Sequence, residues 1–310
     1  MKVSRVLRYL APNIITLSSM IFGLVSLRSA ATGNPSLAAW MIIYAVLTDR
    51  LDGLVARAVK GTSELGMQLD SFADFLNFGV APAFLVLSYL TSRPDLPYAD
   101  GTAHTLLFIA CGGYMLCAVF RLARYNILTD DQVATKMFFG FPTTLTGGPL
   151  AIWILVFLKY DPLYGAQHPF GGAKLFGSYF STPLAAWKYL PIGVAVGGYL
   201  MASRLPMPKV GMTKNKIVSI FLFLCLATGY VCGFAMYYPE FCVFMPTIWA
   251  AMFLIWGQAS AKARAMYPPP LFPSRPDEET RDLVRPQADL EDIVLDEAPP
   301  GTTIDGTKGQ

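Results

Sequence analysis

Eight apolar runs, near residues 13–31, 36–57, 70–91, 104–125, 143–159, 187–203, 216–237 and 242–259, constrain this chain more than any other feature. Runs of roughly 17 to 25 residues are long enough to cross the hydrocarbon core of a bilayer as helices. Inside lipid a backbone must satisfy its own N–H and C=O groups, and a helix does this within one segment. The expected fold is therefore all-α, a polytopic membrane helical bundle of about eight transmembrane helices. With 54% of 310 residues hydrophobic and 15% charged, a soluble domain is excluded. No nucleic-acid partner is expected.

The distribution of Lys and Arg orients the bundle, because these residues concentrate in cytoplasmic loops. Arg28, Arg93, Lys159, Lys174 and Lys188 fall on one side, whereas Lys2, Arg5, Arg8, Arg57, Lys60, Arg121, Arg124, Lys136, Arg204 and others fall on the opposite side. That bias, with eight spans, puts both termini in the cytoplasm. The first run follows a basic segment but is long, and Ala30-Ala31-Thr32 is a poor cleavage site, so it reads as a retained span. The five cysteines lack C-x-x-C or zinc spacing and read as reduced packing residues. From residue 267 to 310 the composition turns to Pro, Asp, Glu and Arg. This division gives a membrane domain, 1–266, followed by a disordered cytoplasmic tail, 267–310.

Against this apolar background Asp49, Asp52, Asp70 and Asp74 need a reason. Residues three, four and seven apart share a helix face, so Asp49, Asp52 and Ala56 line one side of a helix. A second helix, expected after Gly66, carries Asp70 and Asp74 one turn apart and able to face the first. Four acids converging on one spot demand a counter-ion, and hard divalent cations prefer oxygen ligands. Gly53, Ala56 and Gly66 remove bulk and make room for a ligand near the backbone. The bland alternative, ion pairs with Arg50, Arg57 and Lys60, must account for all of these positions at once. Placing the acids at helix ends near the cytoplasmic surface also lowers the cost of charge in the bilayer, about 2.5 to 3.5 kcal/mol at its centre.

Arg121 and Arg124 lie one turn apart at the end of the fourth run, on the same side as the acids. Such a pair makes a fork for phosphate or carboxylate, or an ordinary positive-inside anchor. Asn13 and Thr16 start the first run and can touch a nucleotide, or cap and cross-link helices. Gly140-Phe-Pro142-Thr143-Thr144 and Ser203-Arg-Leu-Pro206 read as helix boundaries.

The string from Asp49 to Asp74 is D-x2-D-G-x2-A-R-x8-G-x3-D-x3-D without a mismatch. It resembles the signature of the CDP-alcohol phosphotransferase family, and a wider resemblance runs from about Pro12 to Lys216. Within the family, Asp70-Ser-Phe-Ala-Asp74, Asn77-Phe-Gly-Val-Ala-Pro82-Ala, Arg121-Leu-Ala-Arg124-Tyr-Asn126 and Gly140-Phe-Pro142 look like the phosphatidylserine synthase branch. The resemblance implies a membrane enzyme using Mg²⁺ or Mn²⁺. It would move a phosphatidyl group from CDP-diacylglycerol to a hydroxyl acceptor, L-serine in this branch, and release CMP.

Carried onto this chain, it makes Asp49, Asp52, Asp70 and Asp74 metal ligands and Asp74 the base. Asn13, Thr16, Asp52, Gly53, Ala56, Arg57 and Gly66 would bind CDP, and Arg121 and Arg124 the acceptor or lipid phosphate. A homodimer in a bacterial inner membrane, with its site facing the cytoplasm, is also implied. Thr143-Thr144-Leu145-Thr146 departs from the small residues common after Gly-x-Pro in that branch. Glycerol 3-phosphate, inositol phosphate and choline therefore stay open as acceptors. An ion-coupled transporter is the alternative of a different class, although such proteins place their acids near the midplane between repeats.

Overall fold

The apolar runs become helices in the computed structural model, which describes residues 2–59, 63–130, 137–208 and 216–259. The order is α1 (Lys2–Ala31), α2 (Pro35–Val59), α3 (Glu64–Asp74), a π-helical stretch (Phe75–Val80), α4 (Ala81–Ser92), α5 (Gly101–Asp130), β1 (Met137–Phe139), α6 (Thr143–Tyr160), α7 (Tyr164–Gln167), α8 (Leu184–Ala202), β2 (Pro206–Pro208), α9 (Lys216–Ala235) and α10 (Pro239–Ala259). The all-α expectation holds, with one addition: β1 and β2 form a three-residue antiparallel pair. Among the described residues, Asn13–Ala31, Leu65–Ser92, Gly101–Asn126 and Thr143–Tyr160 are long and apolar enough to cross a bilayer. The chain is an integral membrane protein. Lys60 and the segment 267–310 lie outside the described residues.

One element differs from expectation in a way that positions the site. The third helix was expected near residue 70, after Gly66, but it starts at Glu64 because Ser63 caps it, its Oγ accepting the Gly66 N–H at 3.0 Å. Gly66 therefore sits in the first turn. From Asp74 the helix continues through the π-helical stretch directly into α4. Single π turns inside α-helices are uncommon and tend to fall at functional sites. Here neighbours hold the turn on several sides. Tyr114 of α5 donates its hydroxyl to the Phe78 carbonyl at 2.9 Å, and Asn77 Nδ2 donates to Ser19 Oγ at 3.2 Å. Gly147 of α6 packs so closely that an added Cβ would lie 2.7 Å from Phe78 O. Without a hydrophobic force between helices in lipid, such close backbone approach is a main source of packing energy.

The core runs through α2, α4, α5, α6 and α8, with Ile42, Leu85, Leu107, Tyr114, Leu155 and Trp187 almost fully buried. At the end of the helices marked by Arg93, every buried charge finds a partner. Arg93 donates to Asp95 Oδ1 at 2.6 Å, to Asp161 Oδ2 at 2.6 Å and to the Tyr89 hydroxyl at 2.7 Å. Asp161 also accepts from Trp187 Nε1 at 2.7 Å and from the Leu163 N–H at 2.8 Å. Lys159, deep in the same end, donates to Gly171 O at 2.8 Å and to Glu240 Oε2 at 3.0 Å, and the Tyr160 hydroxyl donates to Glu240 Oε1 at 2.7 Å. With a rise of about 1.5 Å per residue, the helix from Asp74 to Arg93 separates the two ends by roughly 28 Å.

Candidate active site and metal centre

Asp49 on α2 and Asp70 and Asp74 on α3 each bring a carboxylate oxygen within 4.8 Å of the other two. The spacing explains the convergence: Asp70 and Asp74 are one turn apart, and α1 packs against both α2 and α3. Asp70 is exposed at the mouth, whereas Asp49 and Asp74 are half-buried behind it. At an effective dielectric of about 20, each pair of ionised carboxylates at such a separation repels by roughly 3 to 4 kcal/mol. Among the described residues none of the four acids forms an ion pair, since all three ion pairs belong to the Arg93 end.

Two observations test whether a divalent cation fits. The donor set is three carboxylates within reach of one ion, the hard-oxygen chemistry that Mg²⁺ and Mn²⁺ favour. In addition, Asp74 Oδ1 is buried and accepts no hydrogen bond, a costly condition that a cation would relieve. The residues fit the ion.

The fourth acid stands a little apart. Asp52 is only 6% exposed and lies outside that three-oxygen group, its Oδ2 accepting from Thr16 Oγ1 at 2.8 Å. Thr16 on α1 thus orients Asp52 on α2. One turn earlier, the Asn13 side-chain oxygen lies against Gly66, where an added Cβ would meet it at 3.0 Å. Asn13, Thr16, Asp52 and Gly66 therefore form one continuous wall, and Gly53 opens onto free space with no described atom within 4 Å of an added Cβ. Ala56 and Arg57 belong to α2, but their side chains lie outside the described residues.

The two arginines do not form one fork. Arg121 points at the acids, its Nη1 donating to Thr143 Oγ1 at 3.3 Å, with its guanidinium 5.2 Å from the centre of the Tyr125 ring. Arg124 instead caps the C-terminus of α8, donating to the carbonyls of Ala202 at 3.0 Å and Ser203 at 2.9 Å. Residues one turn apart share a face only approximately, and here the close packing of α5 against α8 claims the second. An added Cβ on Gly198 would lie 3.1 Å from Tyr114 Cα.

Thr143 is the site residue that the sequence reading missed. It is 0% exposed, opens α6, and donates from Oγ1 to Asp74 Oδ2 at 3.1 Å while accepting from Arg121. Its only signal was a hydroxyl just after Gly140-Phe-Pro142 on the same side as the acids, read as a helix boundary. Asn126 and Ser71 are likewise joined across α5 and α3, Asn126 Nδ2 donating to Ser71 Oγ at 3.0 Å.

Residues 9–187 match the CDP-alcohol phosphatidyltransferase family. The chain is 30% identical over 221 residues to a CDP-diacylglycerol–serine O-phosphatidyltransferase of Helicobacter pylori (strain ATCC 700392 / 26695), a match covering 70% of this chain and 81% of that protein. It is 36% identical over 203 residues to the protein of the same name from Mycobacterium leprae (strain TN), across 64% of this chain and 58% of the relative. With the one from Bacillus subtilis (strain 168) it shares 33% identity over 153 residues, 49% of this chain and 77% of the relative.

Proposed function

Because the chain belongs to the CDP-alcohol phosphatidyltransferase family, we propose that it transfers a phosphatidyl group from CDP-diacylglycerol to the hydroxyl of L-serine, giving phosphatidylserine and CMP. The family makes it a transferase, and the relatives' shared name supports the lipid donor and the serine acceptor. The observation that carries the reading is the meeting of Asp49, Asp70 and Asp74 with Arg121 and Thr143 in one cluster of side chains. Both termini and the cluster face the cytoplasm of a bacterial inner membrane, and the bundle crosses it eight times, in keeping with the bias of Lys and Arg. A homodimer is part of the same proposal.

Asp49, Asp70 and Asp74 would hold Mg²⁺ or Mn²⁺, with Asp52 contributing the oxygen that Thr16 does not engage. When bound, the cation neutralises the diphosphate and stabilises the charge on departing CMP. The wall of Asn13, Thr16, Asp52, Gly53 and Gly66 receives the CDP moiety, with Ala56 and Arg57 of the same signature assigned to it from the sequence alone. Asp74 takes the serine hydroxyl proton as the oxygen bonds to the phosphorus of the diacylglycerol phosphate, and the bond from that phosphorus to CMP breaks. Arg121, more than nine-tenths buried, holds the acceptor's carboxylate. Arg124, committed to the α8 carbonyls, keeps the α5–α8 wall in place. With reactants held in register, positioning supplies much of the rate.

CMP release by the purified protein with CDP-diacylglycerol and Mn²⁺ or Mg²⁺ tests this, comparing L-serine, glycerol 3-phosphate, inositol phosphate and choline. Serine-dependent release that Asp70→Asn abolishes is expected. Release with a different acceptor alone would replace serine and keep the chemistry.

A further inference from the structure

We infer that Thr143 is a positioning residue that sorts the two oxygens of Asp74, tying Oδ2 and leaving Oδ1 as the oxygen open to the site's cation and acceptor; the inference rests on the family chemistry proposed above. The directions of the hydrogen bonds carry it. A guanidinium has only donors and an ionised carboxylate only acceptors, whereas a hydroxyl offers one proton and two lone pairs. Thr143 Oγ1 therefore accepts from Arg121 Nη1 at 3.3 Å and spends its single proton on Asp74 Oδ2 at 3.1 Å. With Asp74 ionised, no other assignment satisfies both contacts. The relay runs one way, and it draws the arginine's positive charge toward Oδ2 through a polarised hydroxyl. Asp74 Oδ1 is left buried without a donor.

The scaffold around Thr143 fits a requirement for position. Gly140 takes φ +84, a left-handed conformation that favours glycine, and its N–H donates to Leu205 O at 2.8 Å. The Phe141 N–H donates to Leu200 O at 3.0 Å, and Arg124 grips the carbonyls of the same helix end. A Cβ at Gly140 would come within 2.6 Å of Met201 O and Ser203 O and 2.7 Å of Arg124 Nη2. Pro142 then starts α6 with Thr143 as its first residue. The entry to α6 is bolted to the exit of α8, so the hydroxyl that meets Asp74 is fixed by backbone bonds on both sides. A residue needed only to fill space would not require its hydroxyl.

The test compares Thr143→Val, which keeps the shape and removes the hydroxyl, with Thr143→Ser, which keeps the hydroxyl and removes a methyl. Three quantities are read on full-length purified protein: steady-state CMP release, Mn²⁺ affinity by electron paramagnetic resonance without lipid substrate, and the thermal midpoint in detergent. Thr143→Val is expected to lose about 10- to 100-fold in kcat, the size of one hydrogen bond to a charged group, with KM for CDP-diacylglycerol within about twofold. Its Mn²⁺ affinity should fall several-fold, because Asp74 is no longer held in one rotamer. Thr143→Ser should recover most of both. Val retaining wild-type kcat and Mn²⁺ affinity would overturn the inference, as would Ser failing as badly as Val with a matching loss of thermal stability. If serine is the wrong acceptor, the same comparison is read with whichever acceptor supports CMP release. If no acceptor works, the Mn²⁺ arm decides.

Discussion

Buried charge occurs at both ends of this bundle, and the two ends handle it in opposite ways. At the Arg93 end, Glu240, Asp161 and Lys159 are almost fully buried, and each carboxylate meets a cation and further donors. At the Asp74 end three carboxylates crowd together, and Arg121 reaches Asp74 through the Thr143 hydroxyl. Removing one partner of a satisfied pair strands a charge and costs about 3 to 5 kcal/mol. Removing one member of an overcrowded set relieves repulsion. One end is built for stability, and the other holds an imbalance that a bound cation would resolve.

The largest expected effect tests the active end. Asp74→Asn should lower CMP release about 10²- to 10⁴-fold, the usual worth of a general base, while leaving the thermal midpoint equal or higher. Chelating the divalent cation should abolish release without unfolding the protein. A mutant that lost stability along with activity would erase the contrast between the ends. The next largest effect probes the other end: Glu240→Ala strands Lys159 and should cost about 3 to 5 kcal/mol, seen as a lower midpoint in detergent, with turnover per folded molecule unchanged. Wild-type stability in that variant would break the comparison.

Arg124→Ala should come third. Losing the cap on α8 frees two carbonyls and loosens the entry to α6, for about 1 to 3 kcal/mol of stability together with a partial fall in kcat. This is the one substitution expected to affect both properties, because it supports Thr143 from outside the site.

The smallest effect concerns pH. Hydrogen bonding to Arg93 holds the Asp95 carboxyl below the usual carboxylate range. A carboxyl with a depressed folded pKa contributes stability that is present above its unfolded value and is lost as pH falls through the folded one. The thermal midpoint should therefore decline as the solution is acidified below about pH 4, and Asp95→Asn should flatten part of that decline. The contribution is modest because Asp95 is exposed and screened. An unchanged profile in Asp95→Asn would show that Arg93 draws its support from Asp161 alone.

How far the sequence could be read follows from how local each feature is. The helices around residues 13–31, 104–125 and 143–159 were legible because hydrophobic length alone decides them in a bilayer. Asp49, Asp70 and Asp74 were legible as a group because helical period sets Asp70 one turn from Asp74, and a shared need for a counter-ion points their helix and that of Asp49 at one place. The π-helical turn after Asp74 was not, since it answers to Tyr114, Gly147 and Ser19, which come from three other helices. The expected Arg121–Arg124 fork went astray for a similar reason: Arg124 meets carbonyls 78 and 79 positions along the chain, which no local spacing reveals.

By itself the sequence determined a membrane-spanning helical protein, the helix faces that carry its acids, and the family to which the chain belongs. These are properties of short windows, settled by side-chain hydrophobicity and a period of 3.6 residues. Only the tertiary structure decided that Thr143, 69 positions from Asp74, bonds its carboxylate, that Asp52 answers to Thr16, and that the charges around Lys159 and Arg93 are silenced in pairs. A hydroxyl or a carboxylate has the same local chemistry in either setting. Its role depends on the partner within about 3 Å, and which partner arrives there is fixed by how the helices pack.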